Sequence, residues 1–424
     1  MPGSGALAGT GFVQRILNDR KPKPRIAEPV RSQGFFRFTG DELPLDHPAR
    51  VLDMLLGQLN LDGFTANAKA VEGRAGRPTN SPRMMLALWM YAISIGVGSA
   101  REIARLLRTD AAFRWIAGER AVSHQALSAF RVGCGEQFDK LFTQVLGVLL
   151  QKGLLDLSVV AQDGTRIRAS ASAPSFRKEA SLEACREQAA LHLKAVLASA
   201  DGSRPSRVAE AKARDFQRRV DEALAVVGEL QPKKKDAVKR ASTTDPDARV
   251  MKMPDGGFRP GFNVQLGVAG KADGGPRTIV GVQVTNVGSD LRSVPPMAEQ
   301  IEERTGVRPG AMLADANHAT IGCIKYLAEK GIRPVISVPG QMLRPGHNGD
   351  RSPEVEAWKA SMQEPDAQRL YRSRASLVEL VNGALKDRFD MGQVLVRGTG
   401  KVRSVALLGA LTYNLLAHAP GLLA

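Results

Sequence analysis

Three acidic residues occupy positions from which carboxylates could act on a phosphodiester. Asp163 sits in or at the end of the apolar run Leu157-Ser-Val-Val-Ala161 and opens Asp163-Gly-Thr-Arg-Ile-Arg-Ala-Ser, whose alternation is that of a strand. Asp315 closes a second apolar run, Gly310-Ala-Met-Leu-Ala-Asp315, just before a helical segment. Glu379 belongs to Tyr371-Arg-Ser-Arg374-Ala-Ser-Leu-Val-Glu379, with Lys386 seven residues further on. The carboxyl end of a sheet strand is where α/β proteins commonly place ligand groups. Three carboxylates on separate elements could share two Mg²⁺ ions, because hard oxygen donors suit Mg²⁺ and leave it positions for water and phosphate oxygens. Two such ions about 4 Å apart activate the attacking oxygen and stabilise the leaving one in phosphodiester displacement.

Each acid also has a plainer use. Asp-Gly is the strongest short signal for a hairpin turn. Asp315 can be a helix N-cap or a loop aspartate, and Glu379 can belong to a solvated charge pattern. On a helix, Glu379 and Lys386 share a side about two turns apart, whereas Arg374 lies roughly opposite Glu379. The histidines His47, His124, His192, His347 and His418 show no paired spacing for zinc. No Gly-x-x-x-x-Gly-Lys loop indicates a nucleotide-driven motor. Cys134, Cys185 and Cys323 are too far apart for a disulfide framework or a metal knuckle, a usage that suits a reducing cytosol.

The chain that must position these groups has 424 residues, enough for two or three domains. Its 59 basic and 43 acidic residues give a net charge of +16, which predicts attraction to a polyanion. A 43% hydrophobic share with 24% charged residues excludes a disordered, collagen-like or coiled-coil chain. A membrane partner is not expected. The uncharged stretch 84–100 is shorter than the roughly 20 residues a bilayer span needs. Residues 404–424 are long enough but carry Tyr413, Asn414, His418 and Pro420, which favours a buried terminal helix.

Residues 1–45, rich in Gly, Pro and basic side chains, read as a flexible basic arm. Residues 46–155 read as all-helical. Ser81-Pro82 opens one helix, the capping box Ser99-Ala-Arg-Glu102 a second, and Ser123 a third that carries His124, Gln125, Ser128 and Arg131. Short helices with basic residues on one side resemble helix-turn-helix DNA binders, and equally a helical scaffold with a solvated face. From 156 to 424, strands at 261–268, 278–284, 310–315 and 333–338 alternate with helices at 290–303 and 318–331, which predicts a mixed α/β sheet. An alanine-rich, charge-laced helical insertion interrupts it at about 176–240. Its closing Lys233-Lys234-Lys235 and Lys239-Arg240 are either a solvated helix end or a phosphate-binding patch.

Several words of the sequence together resemble bacterial insertion-sequence transposases of the DDE type. They are Asp163-Gly-Thr, Thr244-Asp-Pro-Asp-Ala-Arg with Gly261-Phe-Asn-Val-Gln, Leu313-Ala-Asp-Ala, and the Tyr371, Arg374, Glu379, Lys386 series. Arg397-Gly, Tyr413-Asn-Leu and the earlier Gly76-Arg-Pro, Ser99-Ala-Arg-Glu-Ile-Ala-Arg-Leu-Leu and Phe130-Arg also resemble that family. The likeness runs in order over about residues 45–418. It implies an RNase H-like catalytic domain that cleaves transposon ends and joins the 3′-OH to target DNA. It makes Asp163, Asp315 and Glu379 the metal-binding triad for Mg²⁺ or Mn²⁺, with Tyr371, Arg374 and Lys386 assisting at DNA phosphates. It further implies double-stranded DNA partners, a homodimer when DNA is bound, and a cytoplasmic, nucleoid-associated protein. A nuclease that cuts without joining and a non-catalytic DNA-binding descendant are the rival readings. Two departures stand out. Four residues, not three, separate Arg374 from Glu379, and His318 stands where the family often has an aromatic residue after the second Asp. His318 is expected to cap the following helix in preference to contacting DNA.

Overall fold

The computed structural model describes residues 23–29, 43–66, 68–118, 120–230, 238–271, 274–343 and 350–424. Most of the expected arm at 1–45, the lysines at 233–235 and His347 lie outside the described residues. The part of the arm that is described runs beside the helical region. Ile26–Ala27 (β1) pairs in parallel with Thr79–Asn80 (β2), and Arg25 N–H donates to the carbonyl of Ala70 at 2.8 Å.

The N-terminal helices begin where small polar side chains satisfy the first free N–H groups. His47 caps α1 (Pro48–Gly57), Ser81 caps α2 (Pro82–Ser94) and Ser99 caps α3 (Ala100–Thr109). Asp110 caps α4 (Ala111–Ala117) and Ser123 caps α5 (His124–Gly133), before α6 (Gly135–Gln151). Half of the expected capping box forms. Ser99 Oγ accepts from Glu102 N–H at 3.4 Å, while the Glu102 carboxylate takes Arg105. Helix α2 is apolar around its whole circumference because neighbours cover every side of it; Leu86, Leu88, Trp89 and Met90 are fully buried. Each such side chain contributes roughly 1.5–3 kcal/mol relative to exposure.

The sheet runs β10 (Arg333–Ile336), β9 (Ala311–Ala314), β3 (Val159–Arg168), β7 (Phe258–Lys271). β8 (Gly274–Thr285) and β6 (Arg249–Lys252) both pair antiparallel with β7, β6 at its amino end. β3, β9 and β10 are mutually parallel, and β7 is antiparallel to β3. Between β3 and β7 the chain leaves through β4 (Phe176–Arg177) and returns through β5 (Ala241–Ser242), which pair with each other. The excursion is a hairpin of α7 (Glu179–Ala198) and α8 (Arg204–Glu229) with a small core of Leu182, Ala223, Val227 and Ala241.

Helices cover both faces of the sheet. On one face lies α9 (Val294–Thr305), whose Met297 approaches so closely that a Cβ on Gly281 would stand 2.2 Å from its sulfur. On the other lies α12 (Pro365–Gly383), after α10 (Ile321–Glu329) and α11 (Pro353–Ser361). Helix α9 starts at 294, not 290, because Arg292 takes a left-handed φ of 67° and Asp290 is drawn into a polar cluster under the sheet. The terminal segment is the buried helix expected: α13 (Thr399–Ala417), followed by α14 (Ala419–Leu423), packs on β8, α6 and α2 and joins the helical region and the sheet in one hydrophobic core. Its amino end is capped from the Thr244-Asp-Pro-Asp stretch, where Asp245 Oδ1 accepts from Gly398 N–H at 3.1 Å and Asp247 Oδ2 from Thr399 N–H at 2.8 Å. No helix among the described residues is long and apolar enough to cross a membrane.

Candidate active site

Asp163 is not in a turn. The Asp-Gly pair lies in the middle of β3, where Asp163 stands opposite Leu266 and Gly164 opposite Gln265 in an unbroken ladder with β7. Tertiary pairing has overruled the local turn preference. Ala161 is the register partner of Leu313 on parallel β9, so two residues on Asp163 and Asp315 come out side by side on the same face. Neighbouring strands are only about 4.8 Å apart. This is the face that α12 covers.

The electrostatics follow from that placement. Burial raises the Asp163 pKa, the nearby Asp315 charge adds to the rise, and Arg374 together with a 2.9 Å bond from Gly164 N–H opposes it. Asp315 is shifted the other way, chiefly by the hydrogen bond it receives from His318. Lys386 is partly buried; burial lowers its pKa while the charge of Asp163 raises it. A π-helical turn at Ala384–Arg388, directly after α12, is what presents Lys386 here.

Glu379 stands apart from the two aspartates. Its side chain is 60% exposed, and its Oε1 lies 3.8 Å from Nη2 of Arg374, which is itself only 16% exposed. The two residues are about 140° apart around α12, yet the long arginine bridges the interval. Arg374 therefore links the rim carboxylate to the buried pair. Tyr371, one turn before Arg374 on α12, lines a cleft of about 350 Å³ with Ser337, Val338 and Gln368. Among the described residues no group of three His, Cys, Asp or Glu side chains is arranged to hold a metal. The donor chemistry nevertheless fits a hard divalent cation. Two crowded carboxylates, one with its pKa raised by burial and further by its neighbour's charge, are the environment a cation would relieve.

Residues 237–415 match the family model of the transposase DDE domain, and residues 38–132 match that of a transposase domain, DUF772. The two matches, in order and without overlap, cover nearly two thirds of the chain. The chain belongs to the DDE transposases. Neither the curated proteins nor the solved structures contain a match.

In this transposase a second polar feature lies away from the aspartates, in the part matched by the transposase domain DUF772. A cleft of about 950 Å³ is lined by Arg77, Arg108, Arg114, Arg120 and His124, with no acidic side chain among its described lining residues. Family membership implies DNA as the partner, and divalent metals are typical of the family. Arg131, expected on the outer basic side of α5, is elsewhere: it is buried, its guanidinium 4.4 Å over the Trp89 ring and bonded to the carbonyl of Gly98 at 2.6 Å. Burial pulls its pKa down to about 10. It packs within the core of the helical region.

Sequence reasoning also misplaced His318. The helix after Asp315 is capped by Thr320, whose Oγ1 accepts from Cys323 N–H at 3.1 Å, and His318 is turned inward to Asp315. The signal was present, since Thr320 stands directly before the apolar spacing of α10.

Proposed function

We propose that this transposase cleaves transposon ends and joins the resulting 3′-OH to target DNA, with Asp163, Asp315 and Glu379 holding divalent cations, Mg²⁺ or Mn²⁺. The observation that carries the reading is the parallel register that sets Asp163 beside Asp315 with Arg374 and Lys386 in their field. The strand order supports an RNase H-like arrangement, with β7 alone running against its neighbours. Bound cations would supply Lewis-acid stabilisation of the phosphoryl oxygens and a more acidic attacking water.

The chain's own residues would do the rest. The carboxylates of Asp163 and Asp315 would carry the negative charge that holds the ions, and Glu379 would complete the set from the rim. Lys386, partly buried beside Asp163, would neutralise a phosphate oxygen near the scissile bond. Arg374 would do the same from α12, and Tyr371 would position DNA further along the helix. The arginine-lined cleft at 77–124 would hold the phosphate backbone of the transposon end, with the protein acting as a homodimer on two ends in the nucleoid. This division gives a helical DNA-binding region over 46–155 and a catalytic region over 156–424.

The test uses labelled end DNA and a target plasmid. Asp163→Asn, Asp315→Asn and Glu379→Gln should each lower cleavage and joining by at least about 100-fold while end binding persists. A wild-type protein that cuts but never yields a joined product is a nuclease without strand transfer. Variants that cleave as well as the wild type overturn the assignment of these acids.

A further inference from the structure

His318 occupies a place that neither the core nor the helix after it explains. Its side chain is completely buried, yet Nε2 has no hydrogen-bond partner among the described residues, and Nδ1 lies 2.7 Å from Asp315 Oδ1. A carboxylate oxygen only accepts, so Nδ1 carries the proton of that bond. The ring is fixed from behind: it belongs to the short turn Ala316–His318, and Thr320 N–H donates to its carbonyl at 2.9 Å just where Thr320 opens α10. The carboxylate of Asp315 is therefore gripped unequally. Among the described residues, Oδ1 takes two donors, His318 Nδ1 and Asn317 N–H at 3.0 Å, whereas Oδ2 takes only the side-chain amide of the exposed Asn317, also at 3.0 Å.

We propose that His318 is a positioning residue for Asp315: its buried Nδ1–H pins Oδ1 and leaves Oδ2 as the oxygen turned toward a divalent cation. A carboxylate at a strand end otherwise rotates broadly about χ2. The Asn317 side chain, being exposed, can give up Oδ2 at little cost, while the histidine cannot leave Oδ1 without stranding a second buried nitrogen. The downward shift of the Asp315 pKa is consistent with that bond. The inference rests on the reading of Asp315 as a cation ligand.

Mn²⁺ binding to the full-length, DNA-free protein, read from the loss of the free-ion EPR signal, tests it without any turnover. His318→Phe keeps a ring and removes the donor; it should weaken Mn²⁺ binding on the order of tenfold, the usual cost of removing a group that orients a metal ligand. His318→Asn puts an amide N–H near the Nδ1 position and should recover affinity to within about threefold of wild type. If the phenylalanine variant does not fold, His318→Gln, which carries its donor one bond further out, should show the tenfold loss instead. Wild-type affinity in the variant without a donor overturns the proposal, as does an equal loss in the phenylalanine and asparagine variants, since that is the mark of packing alone. Asp315→Asn is run beside them. If it binds Mn²⁺ as the wild type does, the assignment of Asp315 as a ligand has failed, whatever the histidine variants do.

Discussion

Alanine at position 164 should destabilise the protein by about 2–5 kcal/mol, although it adds one methyl group to a strand. The glycine has an ordinary extended backbone with no positive φ, so replacing it relieves unfolded-chain entropy and on that account stabilises by roughly 0.4–1 kcal/mol. The opposing effect is larger. A Cβ at 164 would stand 2.2 Å from Gln265 Nε2, 2.4 Å from Asp290 Oδ1 and 2.8 Å from Asn263 Oδ1. These are tips of side chains, but they are not free tips. Gln265 and Asn263 are buried and donate to Asp290 Oδ1 at 2.6 and 2.8 Å, and Arg166 pairs with the other Asp290 oxygen at 3.6 Å. To reach ordinary contact the cluster must open by about 1 Å, breaking two bonds to a charged acceptor worth about 1.5–3 kcal/mol each. Urea unfolding followed by tryptophan fluorescence reads the loss, with Trp358 reporting on the sheet through its bond to the Ile336 carbonyl. In an Asn263→Ala, Gln265→Ala, Asp290→Ala background the space is already open, so the same alanine should cost less than about 1 kcal/mol, a non-additivity expected only of groups in contact. An alanine variant within about 0.5 kcal/mol of wild type would refute the claim that this cluster braces β3 beneath Asp163.

Three further outcomes are expected. Asn414→Ala should cost about 2–4 kcal/mol in urea unfolding, because its amide serves both Ile279 N–H (2.9 Å) and Ile279 C=O (2.8 Å) on buried β8; Asn414→Asp, which can accept but not donate, should recover only part of that. Burial lowers the pKa of His418, which shares a 2.7 Å bond with Thr278, below its ordinary 6.5. The unfolded chain then takes up this proton first, so its contribution is complete above pH 6.5 and falls away as pH drops through that value; His418→Gln should flatten the urea midpoint between about pH 7.5 and 5, and an unchanged slope would rule the histidine out. Arg108→Ala and Arg120→Ala should each reduce the slope of log K against log salt for end DNA by about 0.9 for every phosphate no longer neutralised, whereas unchanged slopes would place the DNA elsewhere.

What the sequence made legible is what neighbours in sequence decide. Ser81, Ser99 and Ser123 sit one residue before apolar spacing begins, and each caps its helix as read. The strands around 261–268 and 278–284 are buried at nearly every residue because helices cover both their faces, and the polar Asn263 and Gln265 among them are bonded to Asp290. β6 went unread because Arg249-Val-Met-Lys252 is short and half charged, and only pairing with β7 makes it a strand. At Asp163-Gly the two local signals competed: the code for a turn is real, but the strand alternation that begins there is the one that holds, because nine consecutive register pairs with β7 outweigh the turn. Arg131 shows the limit most plainly. Its spacing on α5 fits an outward basic face, and nothing nearby reveals that Trp89, forty-two residues earlier, offers a ring for the guanidinium to lie on.

The site divides along the same line. Asp163 and Asp315 follow from strands whose apolar runs end where the acids begin, so their approach needs only parallel pairing. Glu379, Arg374 and Lys386 depend on how one helix is wound. A step of five positions from arginine to glutamate predicts opposite sides, and a straight α-helix would put Lys386 near the side of Glu379. The structure instead closes an Arg374–Glu379 ion pair along the helix and widens the chain to a π-turn at 384–388, which leaves Lys386 in the field of Asp163 while Glu379 stays at the rim. A π-turn exchanges helix hydrogen bonds for a change of direction and is frequent at functional sites. Here it separates two side chains that share a helix, one to meet a buried carboxylate and one to meet solvent. That separation is the part of the site no reading of residue spacing could supply.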